Sequence, residues 1–201
     1  RVEIFDLEAT SAALTKATAF VKELGRAGRM ILFVGGKPEA LGAVRTVAER
    51  LSQPYVAGRF VGGTLTNFPQ IRKRVEKLLK LTAERESGEL ERYTKKERLL
   101  IDRDIARLSK DFGGIVSMVT LPAAAVVVDP KHEKIVVAET RHTKIPVITL
   151  ANSDCDIKDI AYPVPGNDAL QKSITLFLET IAAAYEEGKK AAAIAEAAIA
   201  A

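Results

Sequence analysis

Two glycine pairs carry the first hint of chemistry. One stands in "FVGGKPEALGAV" (33–44), the other in "GRFVGGTLTNF" (58–68). Such a pair can cradle a phosphate, because glycine reaches backbone angles closed to other residues and lets an anion approach the N–H groups. The first pair closes an apolar run and leads into a helix, where open α/β sheets commonly bind nucleotides. It matches neither G-x-G-x-x-G nor G-x-x-x-x-G-K-[ST], and Lys37 has no Ser or Thr beside it to hold magnesium. A plain strand-to-helix turn is the expectation there.

The other reactive side chains are few. His132 and His142 fall ten residues apart on one predicted helix, about 15 Å along its axis and too far to share a metal. Cys155 in "NSDCDI" is the single cysteine, lacks a C-x-x-C partner, and sits among acids that raise a thiol pKa. The same stretch lacks the glycine and distal glutamate of a calcium loop and reads as an Asn/Asp-rich turn. "PVPGND" (163–168) reads as a rigid proline turn delivering a helix cap. No catalytic set assembles, and neither a metal nor a cofactor is expected.

The elements that must position these residues alternate between strand and helix. Leu14, Ala17, Phe20, Val21 and Leu24 predict an amphipathic helix over 8–25 that ends at Gly25 and Gly28. "MILFV" (30–34) predicts a strand buried on both faces, followed by a helix at 38–51 and a short strand at 54–58. Two long helices then occupy 67–84 and 94–110, the first with Asn67 and Gln70 as a capping box. Ile71, Val75, Leu78 and Thr82 on one, and Ile101, Ile105 and Leu108 on the other, form facing stripes of an antiparallel αα-hairpin. Alternation returns with a strand at 123–129, a helix over 130–144, strands at 145–151 and 161–165, and a helix to about 186 capped by Asn167 or Asp168. Five strands with intervening helices imply a three-layer α/β fold around a parallel sheet. The predicted organisation is a discontinuous α/β domain (1–58 and 112–186), an inserted basic hairpin (59–111) and an Ala-rich, frayed tail (187–201).

Charge separates along the same lines. The 201 residues carry a net +4, yet 59–110 holds 14 Lys/Arg against 8 Asp/Glu and the remainder is slightly acidic. Arg72, Lys73, Arg74, Lys77 and Lys80 cover the faces left by the apolar stripe, and "YTKKER" (93–98) adds Lys95, Lys96 and Arg98. One reading is a solvated helix laced with i,i+4 pairs. The other is contact with phosphates by Coulomb attraction and counterion release. Aromatics are only 5% with no tryptophan, which argues against base stacking as the main theme. The single cysteine cannot form an internal disulfide, and no apolar run approaches the roughly 18–20 residues of a membrane span. With no signal-peptide pattern at its start, the chain reads as a soluble intracellular protein.

Several stretches together resemble one family. "RFVGGTLTNFPQIRKRV", "YTKKER", "LPAAAVVVDPKHEKIVVAET", "IPVITLANSDCD" and "YPVPGNDAL" occur in the order and spacing of small-subunit ribosomal protein two, in the bacterial-type form with an inserted helical hairpin, over residues 1–188. The chain departs from the family in having Phe60 and Phe68 where tryptophan is usual, and "FVGGK" where threonine is commoner at the fourth position. It begins at Arg1 without methionine, and the family's G-H and W-N-P-K-M segment has no counterpart in it.

The resemblance implies a flavodoxin-like sheet in the order 2-1-3-4-5 and a structural role without catalysis. It further implies a place near the head–body junction of the small ribosomal subunit, contact with small-subunit ribosomal RNA, and docking of neighbouring proteins, ribosomal protein one among them. A cytoplasmic or organellar ribosome is the implied location. On this view Gly62 and Gly63 form a close-approach turn, with Arg59, Thr64, Thr66 and Asn67 facing phosphates, while Arg72, Lys73, Arg74, Lys77, Lys95 and Lys96 line a positive rod. Two rivals stand beside it: a phosphate-ligand-binding enzyme using the Gly35–Gly36 turn, and a scaffold whose basic hairpin docks an acidic protein.

Overall fold

Every residue of the three central strands is buried, and this dictates the layers. β1 (Ile31–Gly35), β3 (Ala124–Val128) and β4 (Val147–Ala151) are buried throughout, as in a parallel sheet covered on both faces. In the computed structural model, which describes residues 4–200 and the side chains up to residue 195, β2 (Tyr55–Ala57) and β5 (Tyr162–Pro165) form the edges. All four pairings are parallel and the order is β2-β1-β3-β4-β5. The sheet is flavodoxin-like, in the expected order.

One face of the sheet packs against α1 (Leu7–Arg26), α2 (Pro38–Leu51) and α6 (Gln171–Ala200), joining Val21, Val44 and Ile181 to Phe33 and Val126. The other face carries α5 (Lys134–Thr143) and the hairpin formed by α3 (Phe68–Glu86) and α4 (Lys95–Phe112). Here Ile71, Val75, Leu78, Ile105 and Leu108 bury their stripes in the same core as Leu32, Val34 and Val136. Phe60 is buried in that core and Phe68 packs against it. The base of the hairpin is therefore part of the third layer. Among the described residues no helix is long and apolar enough to cross a membrane.

Several element ends differ from expectation, each for a local reason. Asn67 stands at the N-cap of α3 with φ −124° and ψ 44° and makes no side-chain capping bond, away from the extended geometry that a cap requires. The capping box forms on α4 instead, where Glu97 Oε2 accepts the Thr94 N–H at 2.9 Å and Thr94 Oγ1 accepts the Glu97 N–H at 3.4 Å. α5 starts at Lys134 rather than Pro130, because Asp129 (φ 61°) turns the chain and accepts the Lys131 and His132 N–H groups at 2.9 and 3.1 Å. His132 thus lies in a turn ahead of the helix that holds His142.

Glycine misleads at two further ends. α1 runs through Gly25 to Arg26 and stops before Gly28, whose φ is 60°. α6 passes through Gly188 and reaches Ala200, so the expected tail continues the helix. Both glycines serve the crossing of these helices: a Cβ at Gly25 would overlap the Tyr185 carbonyl, and one at Gly188 would overlap that of Lys22. Asn167 accepts the Ala169 and Leu170 N–H groups at 2.9 and 3.1 Å, closing a turn ahead of α6, while Asp168 points inward. Neither residue caps α6 directly.

Candidate nucleic-acid interface

The loop between β2 and α3 brings its backbone N–H groups to one point, and an internal carboxylate fills it. Glu139, on α5, accepts the Gly63 N–H with one oxygen and those of Leu65 and Thr66 with the other, at 2.8 and 3.2 Å. Gly63 has φ 90°, which turns its amide toward that point. The carboxylate is only 7% exposed, so these bonds offset the cost of burying its charge. The amides expected to face outward are consequently engaged. Thr64 is buried as well, its hydroxyl donating to the Val61 carbonyl at 2.6 Å. Arg59, Gly62, Thr66 and Asn67 are exposed.

The cations of the hairpin divide into two groups. Arg72 is half-buried and donates through Nη1 to the carbonyls of Val116 and Met118, at 3.1 and 3.3 Å, pinning α3 to the segment that returns to the sheet. Lys77 crosses to Asp104 of α4 at 2.9 Å, where Arg107 also binds. These side chains fasten the hairpin. By contrast Arg59, Lys73, Arg74, Lys95 and Lys96 are exposed and, among the described residues, make no ion pair. Lys95 and Lys96 occupy the first turn of α4, where the helix dipole disfavours cations. Helix stability does not account for their position.

The rival anion site lies where β1 and β3 part at the carboxyl ends of the strands. It is closed from within. Gly36 donates its N–H to Glu133 Oε1 at 2.9 Å, and a Cβ at Gly36 would run into that carboxylate. The Lys37 ammonium bridges Asp129 at 2.6 Å and Asp168 at 3.4 Å, and Asn152 donates to Asp168 at 3.2 Å. Burial opposes the Lys37 charge, but the Asp129 hydrogen bond and the two carboxylates outweigh it and raise the lysine pKa. Burial, followed by the Asp129 charge, pushes the Asp168 carboxyl up. Asp129, Cys155 and Asp168 bring three donor atoms within 4.8 Å of one another, yet Lys37 supplies the positive charge among them. Burial pushes the Cys155 thiol up, with Asp129 and Asp154 adding to it, which suppresses thiolate chemistry. His132 is exposed, with Nδ1 at 2.9 Å from Glu133 Oε1, and His142 is exposed in the last turn of α5.

Sequence reasoning missed Glu133 and Glu139, the two carboxylates that fill the glycine turns. A signal existed for the second. Glu139 follows Val136 by three residues on α5, so it shares the helix face that goes into the core, and a carboxylate there needs donors.

The family model described as Ribosomal protein S2 matches residues 1–188. Among curated proteins, the chain is similar to the small ribosomal subunit protein uS2 of Rhodococcus erythropolis, with 40% identity over 192 residues, covering 96% of this chain and 67% of that protein. It is similar in the same way to the uS2 proteins of Nocardia farcinica, at 40% identity, and Mycobacterium tuberculosis, at 41%, again over 96% of this chain and 67% of each relative. The chain spans about two thirds of the length of these relatives.

Proposed function

The chain belongs to the ribosomal protein S2 family, and on that premise we propose that it is a structural component of the small ribosomal subunit that grips small-subunit ribosomal RNA. The grip falls to Arg59, Lys73, Arg74, Lys95 and Lys96, with Arg72 and Lys77 holding the hairpin in shape. The observation that carries this reading is the set of exposed cations that make no ion pair among the described residues, on and beside one buttressed hairpin. Contacts of this kind follow the shape and backbone of folded RNA rather than base identity.

The role is binding, not catalysis. The chain works in translation on the ribosome, in a bacterial cytoplasm or an organelle, near the head–body junction. Its partners are the RNA and neighbouring small-subunit proteins, and its surface also offers a dock for ribosomal protein one. Co-sedimentation with small ribosomal subunits tests the reading. The chain should travel with the subunit at low salt and leave it in high salt. Lys73→Glu combined with Arg74→Glu should release it at lower salt than the unaltered chain. Failure to co-sediment at any salt would overturn the proposal.

A further inference from the structure

We propose that the groove along the β2 edge of the sheet, between β2 and the returning end of α4, binds the phosphodiester backbone of ribosomal RNA; this deepens the ribosomal reading above and rests on it. The groove has a volume of about 580 Å³ and carries Arg45, Arg59 and Lys110 against one acid, Asp111. Arg59 and Lys110 are exposed and make no ion pair among the described residues. Arg45 is tied to Glu49 at 2.9 Å, and Glu49 in turn accepts the Tyr55 hydroxyl at 2.7 Å, which holds the guanidinium beside the groove.

The strand edge adds neutral donors. Among the described residues β2 pairs with β1 alone. The Pro54 carbonyl accepts the Phe33 N–H at 3.0 Å, and the Gly58 N–H reaches the Gly35 carbonyl at 3.3 Å. In a parallel ladder the alternate residues face away, so Tyr55 and Ala57 turn their N–H groups outward toward the groove they line. Side-chain cations and strand amides together suit an extended chain of phosphates. The glycine loop cannot serve in their place, since Glu139 holds its amides.

An acidic peptide adding to the edge as a strand is the competing occupant, and the geometry disfavours it. β2 is three residues long, and a Cβ at Gly114 would overlap the Tyr55 carbonyl. That leaves too little free edge for a ladder of main-chain bonds. Arg59 also borders a smaller cleft of about 240 Å³ lined by Gly36, His132 and Glu133.

The test uses the full chain and small-subunit ribosomal RNA transcribed in vitro. The Arg59→Gln, Lys110→Gln double variant changes two exposed side chains, and circular dichroism checks its fold. It should bind RNA at least several-fold more weakly at low salt, with the slope of log K against log salt shallower by about 2. In the unaltered chain, RNA should protect the Lys110 amine from acetylation. Equal protection by millimolar inorganic phosphate would reduce the groove to a free-phosphate site and overturn the backbone assignment. Displacement of RNA from Lys110 by a glutamate-rich peptide at equal concentration would overturn it in favour of an acidic protein. If the double variant keeps the unaltered affinity and slope while the Lys73→Glu, Arg74→Glu variant loses them, the groove proposal falls and the ribosomal reading stands. If the unaltered chain does not bind small subunits, the ribosomal reading falls and takes the groove with it.

Discussion

The Glu139 carboxylate receives the backbone N–H of Gly63, two groups 76 positions apart in the chain. With its second oxygen on Leu65 and Thr66, this side chain does for the loop what a bound phosphate does in a nucleotide site. A glycine pair that reads as an anion cradle is therefore satisfied from inside the molecule.

Replacing Glu139 with Gln should cost about 1–3 kcal/mol, because the amide keeps one acceptor oxygen and turns donor hydrogens toward N–H groups that need acceptors. Urea unfolding measures the loss. Amide exchange at Gly63, Leu65 and Thr66 should quicken more than elsewhere. Unchanged exchange at all three would show that the carboxylate does not hold the loop.

Lys37 neutralises Asp129 and Asp168, which are 5% and 2% exposed. Lys37→Met should destabilise the fold by about 3–5 kcal/mol at neutral pH, since it strands buried charge. The pH dependence follows from the signs. The lysine pKa is raised above 10.5, so its contribution is complete below that value and is lost as pH climbs through the folded-state pKa. The Asp168 pKa is also raised, so its ionisation weakens the fold as pH rises above 3.8. The methionine variant should lose the alkaline step and recover part of its deficit toward acid, as one carboxyl takes up a proton. Melting temperatures of both proteins across pH check this. A deficit that grows in acid would contradict it.

Gly25 and Gly188 sit at the crossing of α1 and α6, each against a backbone carbonyl of the other helix. Alanine at either position should cost about 1–3 kcal/mol through displaced backbone, despite its better helix propensity. Gly42 on α2 has open space around it, and alanine there should stabilise by about 0.5–1 kcal/mol. Thermal unfolding of the three variants separates packing from propensity: stabilisation by all of them would rule out the crossing contact.

The two hairpin caps should respond unequally. Thr94→Ala removes a working capping box and should cost about 1 kcal/mol. Asn67→Ala removes a side chain that makes no capping bond and should stay within about 0.5 kcal/mol. Equal losses in chemical denaturation would mean that Asn67 caps α3 after all.

The sheet was legible because its strands are continuous apolar runs closed by turn residues, and a strand buried on both faces leaves that trace. The hairpin was legible for a different reason: Ile71, Val75, Leu78, Ile105 and Leu108 keep helical spacing and are all buried. Gly25 and Gly188 show where the reading runs out. A helix stop and a helix crossing use the same residue, and only the Tyr185 and Lys22 carbonyls tell them apart. In the candidate site, the types and clustering of the cations were visible, but their division into fasteners and exposed groups was not. Arg72 and Arg74 look alike in sequence; Arg72 differs because the Val116 and Met118 carbonyls come within its reach. The same distance along the chain hid Glu139 and the partners of Lys37.

The long separation between the glycine loop and Glu139 also orders events during synthesis. A ribosome delivers the chain from its amino end, so both hairpin helices emerge before α5 has been made. A nascent chain that ends short of Glu139 lacks the carboxylate that accepts the Gly63, Leu65 and Thr66 N–H groups in the finished fold. The contacts that close the loop therefore become available only once α5 has been made.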